Sequence, residues 1–291
     1  MRSLEVINKV LRSAEDLKSI VRTMKVLSAV SIHQYERAVE SLVDYNRTVN
    51  LGIQIFTYHN DKSFAQPFSN GTEIGVVVFG SDHGLCGSFN EALATFALDK
   101  IKSSHITANK WRIVTVGARM SMVFEARKIE MDECFFIPGS VAEITASVRQ
   151  LLIKLDGWQT AGVSKILLFF NKRAPSNRCD PTLLNLLPID MDQFEGMEAQ
   201  SWPSRSIPTY TMSDETLLSS LIRQYLFISI FQACAESLAS EHASRLLSMQ
   251  IAEKSIKGRI EDLRAEFRQQ RQNSITEELL DVVAGFEVLN R

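Results

Sequence analysis

The segment Gly80-Ser81-Asp82-His83-Gly84-Leu85-Cys86-Gly87 gathers a hydroxyl, a carboxylate, an imidazole and a thiol directly after the apolar run Glu73–Phe79. Nucleophile, base and acid are the ingredients of covalent acyl transfer. Their closeness in the chain argues against that chemistry, because triads assemble from distant positions whose side chains converge on one reacting atom. A nucleophile elbow needs G-x-S-x-G or a cysteine version, and neither Gly80-Ser81-Asp82-His83-Gly84 nor Gly84-Leu85-Cys86-Gly87-Ser88 supplies it. Glycines at 80, 84 and 87 also miss G-x-G-x-x-G and the Walker pattern, and no Lys-Ser/Thr pair follows them. The segment reads as a strand-to-helix turn in which glycine supplies unusual backbone angles and Cys86 is a small buried residue. An α/β enzyme with helical oligomerisation arms, working through the Ser81–Cys86 turn, is the alternative reading.

Nothing else in the chain is arranged for chemistry. Cys86, Cys134, Cys179 and Cys234 are far apart, with no C-x-x-C pair and no histidine at ligand spacing, so neither a metal site nor a disulfide framework is expected. His33, His59, His105 and His242 are scattered and read as surface residues. With 32 basic and 34 acidic residues the chain has no overall pull toward nucleic acid or anionic lipid. The N-terminal sequence is charged and amphipathic rather than a signal core, and the apolar runs Ile74–Phe79 and Ile166–Phe170 are too short to span a bilayer. A cytosolic or peripheral protein is the expectation, with no cofactor and no metal.

The elements around the turn follow an α/β grammar. Strands are expected at Glu73–Phe79, Trp111–Val116, Cys134–Ile137 and Ser164–Phe170, and helices at Phe89–Ile101, Ala118–Arg127 and Val141–Leu155. Alternation at this spacing predicts a small α/β domain with a largely parallel sheet over 73–208. Pro175–Pro208 reads as a loop-rich tail holding the apolar island Leu183–Leu187, with at most an edge strand near Thr209–Met212.

The two ends read differently. Residues 1–51 lack glycine and proline, and no proline follows Pro208. Leu4, Ile7, Leu11, Ala14, Leu17, Val21, Met24 and Leu27 recur in steps of three and four, as do Met249, Ala252, Ile256, Ile260, Leu263 and Phe267, then Ile275, Leu279, Val282 and Phe286. Two such stripes in one chain predict an antiparallel coiled coil of residues 1–58 with 213–291. At 1.5 Å per residue the C-terminal run would reach about 110 Å, further than a compact chain of this size is wide. Arg268-Gln269-Gln270-Arg271-Gln272-Asn273-Ser274 interrupts the stripe with a collar that is polar all round, read as a surface recognised by another protein.

Four motifs, in order, give the chain a resemblance. Thr23-Met24-Lys25-Val26-Leu27-Ser28-Ala29 resembles T-x-A-M-K-M-V-A-A, and Ser81-Asp82-His83-Gly84-Leu85-Cys86-Gly87-Ser88-Phe89-Asn90 resembles S-D-R-G-L-C-G-G-F-N. Ser240-Glu241-His242-Ala243-Ser244-Arg245-Leu246 resembles S-E-x-A-A-R-M, and Arg271-Gln272-Asn273-Ser274-Ile275-Thr276-Glu277-Glu278-Leu279 resembles R-Q-A-x-I-T-Q-E-L, with Leu186-Leu187-Pro188 and Val283-Ala284-Gly285 also matching. These are motifs of the gamma subunit of F-type ATP synthase. The resemblance implies an α/β fold with a long antiparallel coiled coil and a small Rossmann-like domain, in a non-catalytic rotor shaft that transmits torque between a membrane ion-driven ring and a catalytic hexamer.

Its implied partners are the catalytic and non-catalytic subunits of the hexamer, the epsilon subunit and the membrane ring of c subunits, with no nucleic acid and no direct nucleotide binding. The implied location is peripheral, on the cytoplasmic face of the plasma membrane. By position, Met24, Lys25, Arg245, Arg271, Gln272, Thr276 and Glu278 would meet the hexamer, and Val283 and Phe286 would sit in an apolar bearing. The chain departs from the pattern at His83 and Ser88, at Ser31–Glu36 where a basic run is usual, and at Glu253-Lys254-Ser255 where an Asn-Ala pair is usual. These departures imply a divergent branch, expected in an alternative F-type complex whose membrane subunits select protons or sodium.

Overall fold

The computed structural model describes residues 3–59, 73–103, 110–173, 179–189 and 209–289. These fall into two compact units, one of residues 29–244 and one of the chain ends, 1–28 with 245–291. Helices α1 (Leu4–Ser41) and α6 (Asp214–Leu289) contribute to both.

In the larger unit, β1 (Glu73–Phe79), β2 (Lys110–Val116), β3 (Glu133–Phe135), β4 (Val163–Arg173) and β5 (Cys179–Leu187) form one sheet in the order β3-β2-β1-β4-β5. The first four are mutually parallel and β5 is antiparallel to β4. Residues 74–79 of β1 are all buried, as expected of a parallel strand covered on both faces. One face, through Ile74, Val76, Val78 and Phe169, packs on Leu93, Ala94 and Ala97 of α3 (Phe89–Ser103) and Met120 and Phe124 of α4 (Ala118–Ala126). The other, through Val77, Phe79, Ile166 and Leu168, shares a core with α5 (Val141–Thr160), with Val49 and Ile53 of α2 (Val43–His59), and with Ile228–Ala239 of α6. Trp158 of α5 is buried there, worth about 3 kcal/mol of apolar transfer, and its indole N–H donates to Asp132 Oδ2 at 3.2 Å.

The expected loop-rich tail is in part a strand. Residues 179–187 form β5, pairing Leu183 with Phe169, Leu184 with Leu168 and Pro181 with Asn171. Proline is tolerated because β5 ends the sheet order, where a missing N–H breaks no ladder on the far side. Thr209–Met212 forms no strand, and residues 190–208 lie outside the described residues. Strand β3 stops at Phe135 rather than Ile137, because the Ile137 amide donates to Asp82 instead. α6 also contains an 18-residue window apolar enough, by length and composition, to cross a membrane. Ile228, Ile230, Ala233, Cys234, Ala235, Leu238 and Ala239 of that helix are core residues against the sheet, and 28% of the window is buried.

In the chain-end unit α1 and α6 pair antiparallel. Lys25 contacts Glu253 and Glu15 contacts Arg264, so numbers rising on one helix match numbers falling on the other. Within the chain-end unit the less exposed positions of α1 are Leu4, Ile7, Leu11, Ala14, Lys18, Val21, Met24, Lys25 and Ser28, and those of α6 include Met249, Ala252, Glu253, Ile256, Ile260, Leu263, Phe267, Gln270 and Ser274. Apart from the neighbours Met24–Lys25 and Ala252–Glu253, both series step by three and four, the heptad spacing of a two-stranded seam.

This corrects the expected stripe in three places. Leu17 and Leu27 are exposed, and Lys18 and Ser28 hold the seam. The collar keeps a partner-facing edge through half-buried Gln270 and Ser274. Ile275, Leu279 and Val282, expected on the stripe, are exposed.

Candidate functional site

The Ser81–Cys86 turn has its polar groups spent on the fold. Ser81 Oγ donates to the His83 carbonyl at 2.9 Å and accepts from Asn90 Nδ2 at 2.8 Å, while Asn90 Oδ1 accepts the Ser81 amide. The hydroxyl proton is therefore held by a carbonyl, not by a base. Asp82 accepts from the Ala118 amide at 2.8 Å with one oxygen and from the Ile137 amide at 2.9 Å with the other. One carboxylate thus ties the loops leaving β1, β2 and β3. Gly117 completes the junction at φ 115°, where a Cβ would lie 2.7 Å from the Ser81 backbone nitrogen. Cys86 is buried and His83 exposed. No group of three or more His, Cys, Asp or Glu placed to hold a metal occurs among the described residues.

In an open parallel sheet, ligands bind beyond the carboxyl ends of the strands where the strand order reverses, here between β1 and β4. That crevice is filled by α6. Ser237 Oγ donates to the Phe79 carbonyl at the end of β1, and Ser244 Oγ donates to the Cys86 carbonyl at 2.6 Å. The Cys179 thiol donates to the Ser240 carbonyl at 3.4 Å, and His242 stacks on the buried Tyr35 ring with centroids 5.6 Å apart. Burial pushes the Tyr35 hydroxyl and the Cys234 thiol each up to about 12. The crevice is packed with helix.

The positions implied by the resemblance are strung along the terminal helices. Arg245 is buried. Arg271, Gln272, Thr276 and Glu278 are exposed on α6, with Thr276 Oγ1 donating to the Gln272 carbonyl at 2.9 Å. From Arg245 to Glu278 the helix rises about 50 Å, so these residues make a strip and not a pocket. Met24 is half-buried, and Lys25 is turned into the seam, where its Nζ lies 2.5 Å from Glu253 Oε2. Val283 is exposed, while the side chain of Phe286 lies outside the described residues. The exposed apolar row Val6, Val10, Leu17, Ile20 and Leu27 was not legible as surface, because a one-residue shift would carry part of it into the seam. Glu253 as the partner of Lys25 was likewise missed; its acidic side chain at a seam position was the available signal.

Three comparisons bear on this arrangement. A family model described as ATP synthase matches residues 3–289. The ATP synthase gamma chain of Blochmanniella pennsylvanica (strain BPEN) is 23% identical over 302 residues, covering 99% of this chain and 100% of that one. That of Pasteurella multocida (strain Pm70) is 26% identical over 296 residues, covering 98% and 99%. Among solved structures, a chain of the Euglena gracilis mitochondrial ATP synthase OSCP/F1/c-ring assembly in rotational state 3 superposes with a TM-score of 0.67 at 14% identity, covering 98% of this chain and 94% of that one. A chain of the Tetrahymena thermophila mitochondrial ATP synthase central stalk and c-ring gives 0.55 at 19% identity, covering 80% and 99%.

Proposed function

This chain belongs to the family of ATP synthase gamma chains, and from that premise we propose that its paired terminal helices turn within a hexamer of catalytic and non-catalytic subunits. It is a non-catalytic central-stalk subunit of an F-type ATP synthase, and as such a peripheral component of a membrane complex. In this reading the nucleotide chemistry lies on the partner subunits. On the same reading the N-terminal segment 1–58, which holds α1 and most of α2, and the C-terminal segment 213–291, which holds α6, flank the α/β domain 73–208, and that domain with the base of the helices meets an epsilon subunit and a ring of c subunits. The complex sits on the cytoplasmic face of the plasma membrane.

The observation that carries the reading is the match of the family model over residues 3–289, on a chain whose strand-end crevice is occupied by its own helix. A stalk acts by making different contacts with each neighbour as it turns, and so biases distant sites in succession. Arg271, Gln272, Thr276 and Glu278 suit this role, since exposed guanidinium, amide, hydroxyl and carboxylate groups break and remake hydrogen bonds with little reorganisation. Arg245 and Met24 extend the contact strip. Lys25 adds the stem of a side chain whose charge is engaged by Glu253, and Val283 and Phe286 form the apolar bearing.

The test is co-expression of the tagged chain with the hexamer and membrane subunits of its own source. Co-purification of a nucleotide-hydrolysing hexamer, with hydrolysis coupled to ion pumping, is expected. A chain that purifies alone overturns the reading.

A further inference from the structure

Where the two terminal helices pair, charged side chains hold seam places at Lys18 and Lys25 on α1 and at Glu253 on α6, beside the uncharged polar residues Ser28, Gln270 and Ser274. The Lys25 and Glu253 side chains keep 30% and 16% of their exposure. Glu253 is faced by cations from both helices. Lys25 and Arg22 approach from α1, and Lys257 lies 4.0 Å away on its own helix. The hydrogen bond from Lys25 is the chief reason the Glu253 carboxyl is held below its ordinary range. A second tie, Glu15 to Arg264 at 2.8 Å, stands ten residues away along α1 and eleven along α6, in the same antiparallel alignment.

A partly buried ion pair is a poor source of stability, because an apolar pair of similar size fills the same space without a desolvation cost. Its distinctive property is intolerance of misalignment. Sliding the helices by one heptad in either direction would set Lys25 against Leu246 or Ile260. In one of these slides Lys18 takes up Glu253, but Lys25 is stranded in both. Polar residues at seam positions specify alignment in this way in other coiled coils.

We propose that Lys25 and Glu253 form an axial pin, a seam ion pair that fixes the sliding position of α1 against α6 and carries shear between them when the stalk is twisted. The proposal rests on the central-stalk reading.

It is tested in the assembled membrane complex by comparing ion pumping per ATP hydrolysed with thermal stability. Glu253→Gln and Lys25→Gln should each lower the pumping ratio by about two-fold or more, the lower end of measured coupling between contacting residues. The exchange Lys25→Glu with Glu253→Lys should recover most of the ratio. The apolar pair Lys25→Leu with Glu253→Leu should recover thermal stability but not the ratio, which separates alignment from mere packing. An apolar pair that pumps like the native chain, or an exchange no better than the single changes, overturns the pin. Failure of the native chain to assemble overturns the stalk reading instead.

Discussion

The Ser244 hydroxyl donates to the Cys86 carbonyl at 2.6 Å, joining helix α6 to the turn that follows β1. The chemically richest segment of the chain is thereby a mooring for a helix. Ser244→Ala should lower stability by about 1 kcal/mol, the usual net worth of such a bond. The shift in urea midpoint at unchanged slope measures it.

Asp82 and His83 separate a structural turn from a catalytic one. Asp82→Ala leaves two backbone amides without their acceptor and should cost about 2–3 kcal/mol, whereas exposed His83→Ala should fall within about 0.5 kcal/mol. Chemical denaturation of the two variants checks the order. Equal effects would show that the loops are not tied through Asp82.

Gly117 should tolerate no side chain. Alanine there meets both a φ of 115° and a contact of 2.7 Å with the Ser81 backbone nitrogen, so Gly117→Ala should destabilise by about 2 kcal/mol or more. Gly258, with open space around it and no positive φ, is the control. Gly258→Ala should stabilise helix α6 by up to about 1 kcal/mol.

Stability should fall on the alkaline side. Cys234 and Tyr35 keep their protons up to about 12 in the folded chain, against ordinary values of 9.0 and 10.0. Below pH 9 both groups are protonated in either state and cost nothing. Between about 9 and 12 the unfolded chain releases protons that the folded chain retains, so stability declines as pH rises. Tyr35→Phe and Cys234→Ala should each flatten that decline in thermal melts, and a thiol reagent at pH 8 should label exposed Cys134 before buried Cys86 and Cys234.

The collar should matter to assembly and not to folding. Gln272→Ala with Thr276→Ala removes exposed groups and should leave unfolding within about 0.5 kcal/mol. In the reconstituted complex the same pair should impair coupled ATP hydrolysis several-fold. Native coupling in this double variant would remove both residues from the contact strip.

Much of this architecture was legible because the physics is local. Strands β1 and β4 contain the unbroken apolar runs Val76–Phe79 and Ile166–Phe170, as burial on both faces demands, and β2 ends on Ile113-Val114-Thr115-Val116. β5 was hidden, since Asp180-Pro181-Thr182 and Asn185 break any alternation and its identity comes only from pairing with β4. The seam departs from apolar patterning at Leu17 and Leu27, which are exposed, while Lys18 and Ser28 take the inward places. The positions of the contact strip came from motifs and not from geometry, because an exposed helix surface carries little signal until its neighbour is present.

Toward the end of helix α6, Ile275, Leu279, Leu280, Val282 and Val283 are all exposed. A lone helical stretch of about 15 residues is only marginally held by its own hydrogen bonds. Part of the free energy that orders this tip is thus deferred until a surrounding protein supplies it. Threading the tip into place is then a folding event as well as a docking event, and amide exchange there should slow sharply on assembly.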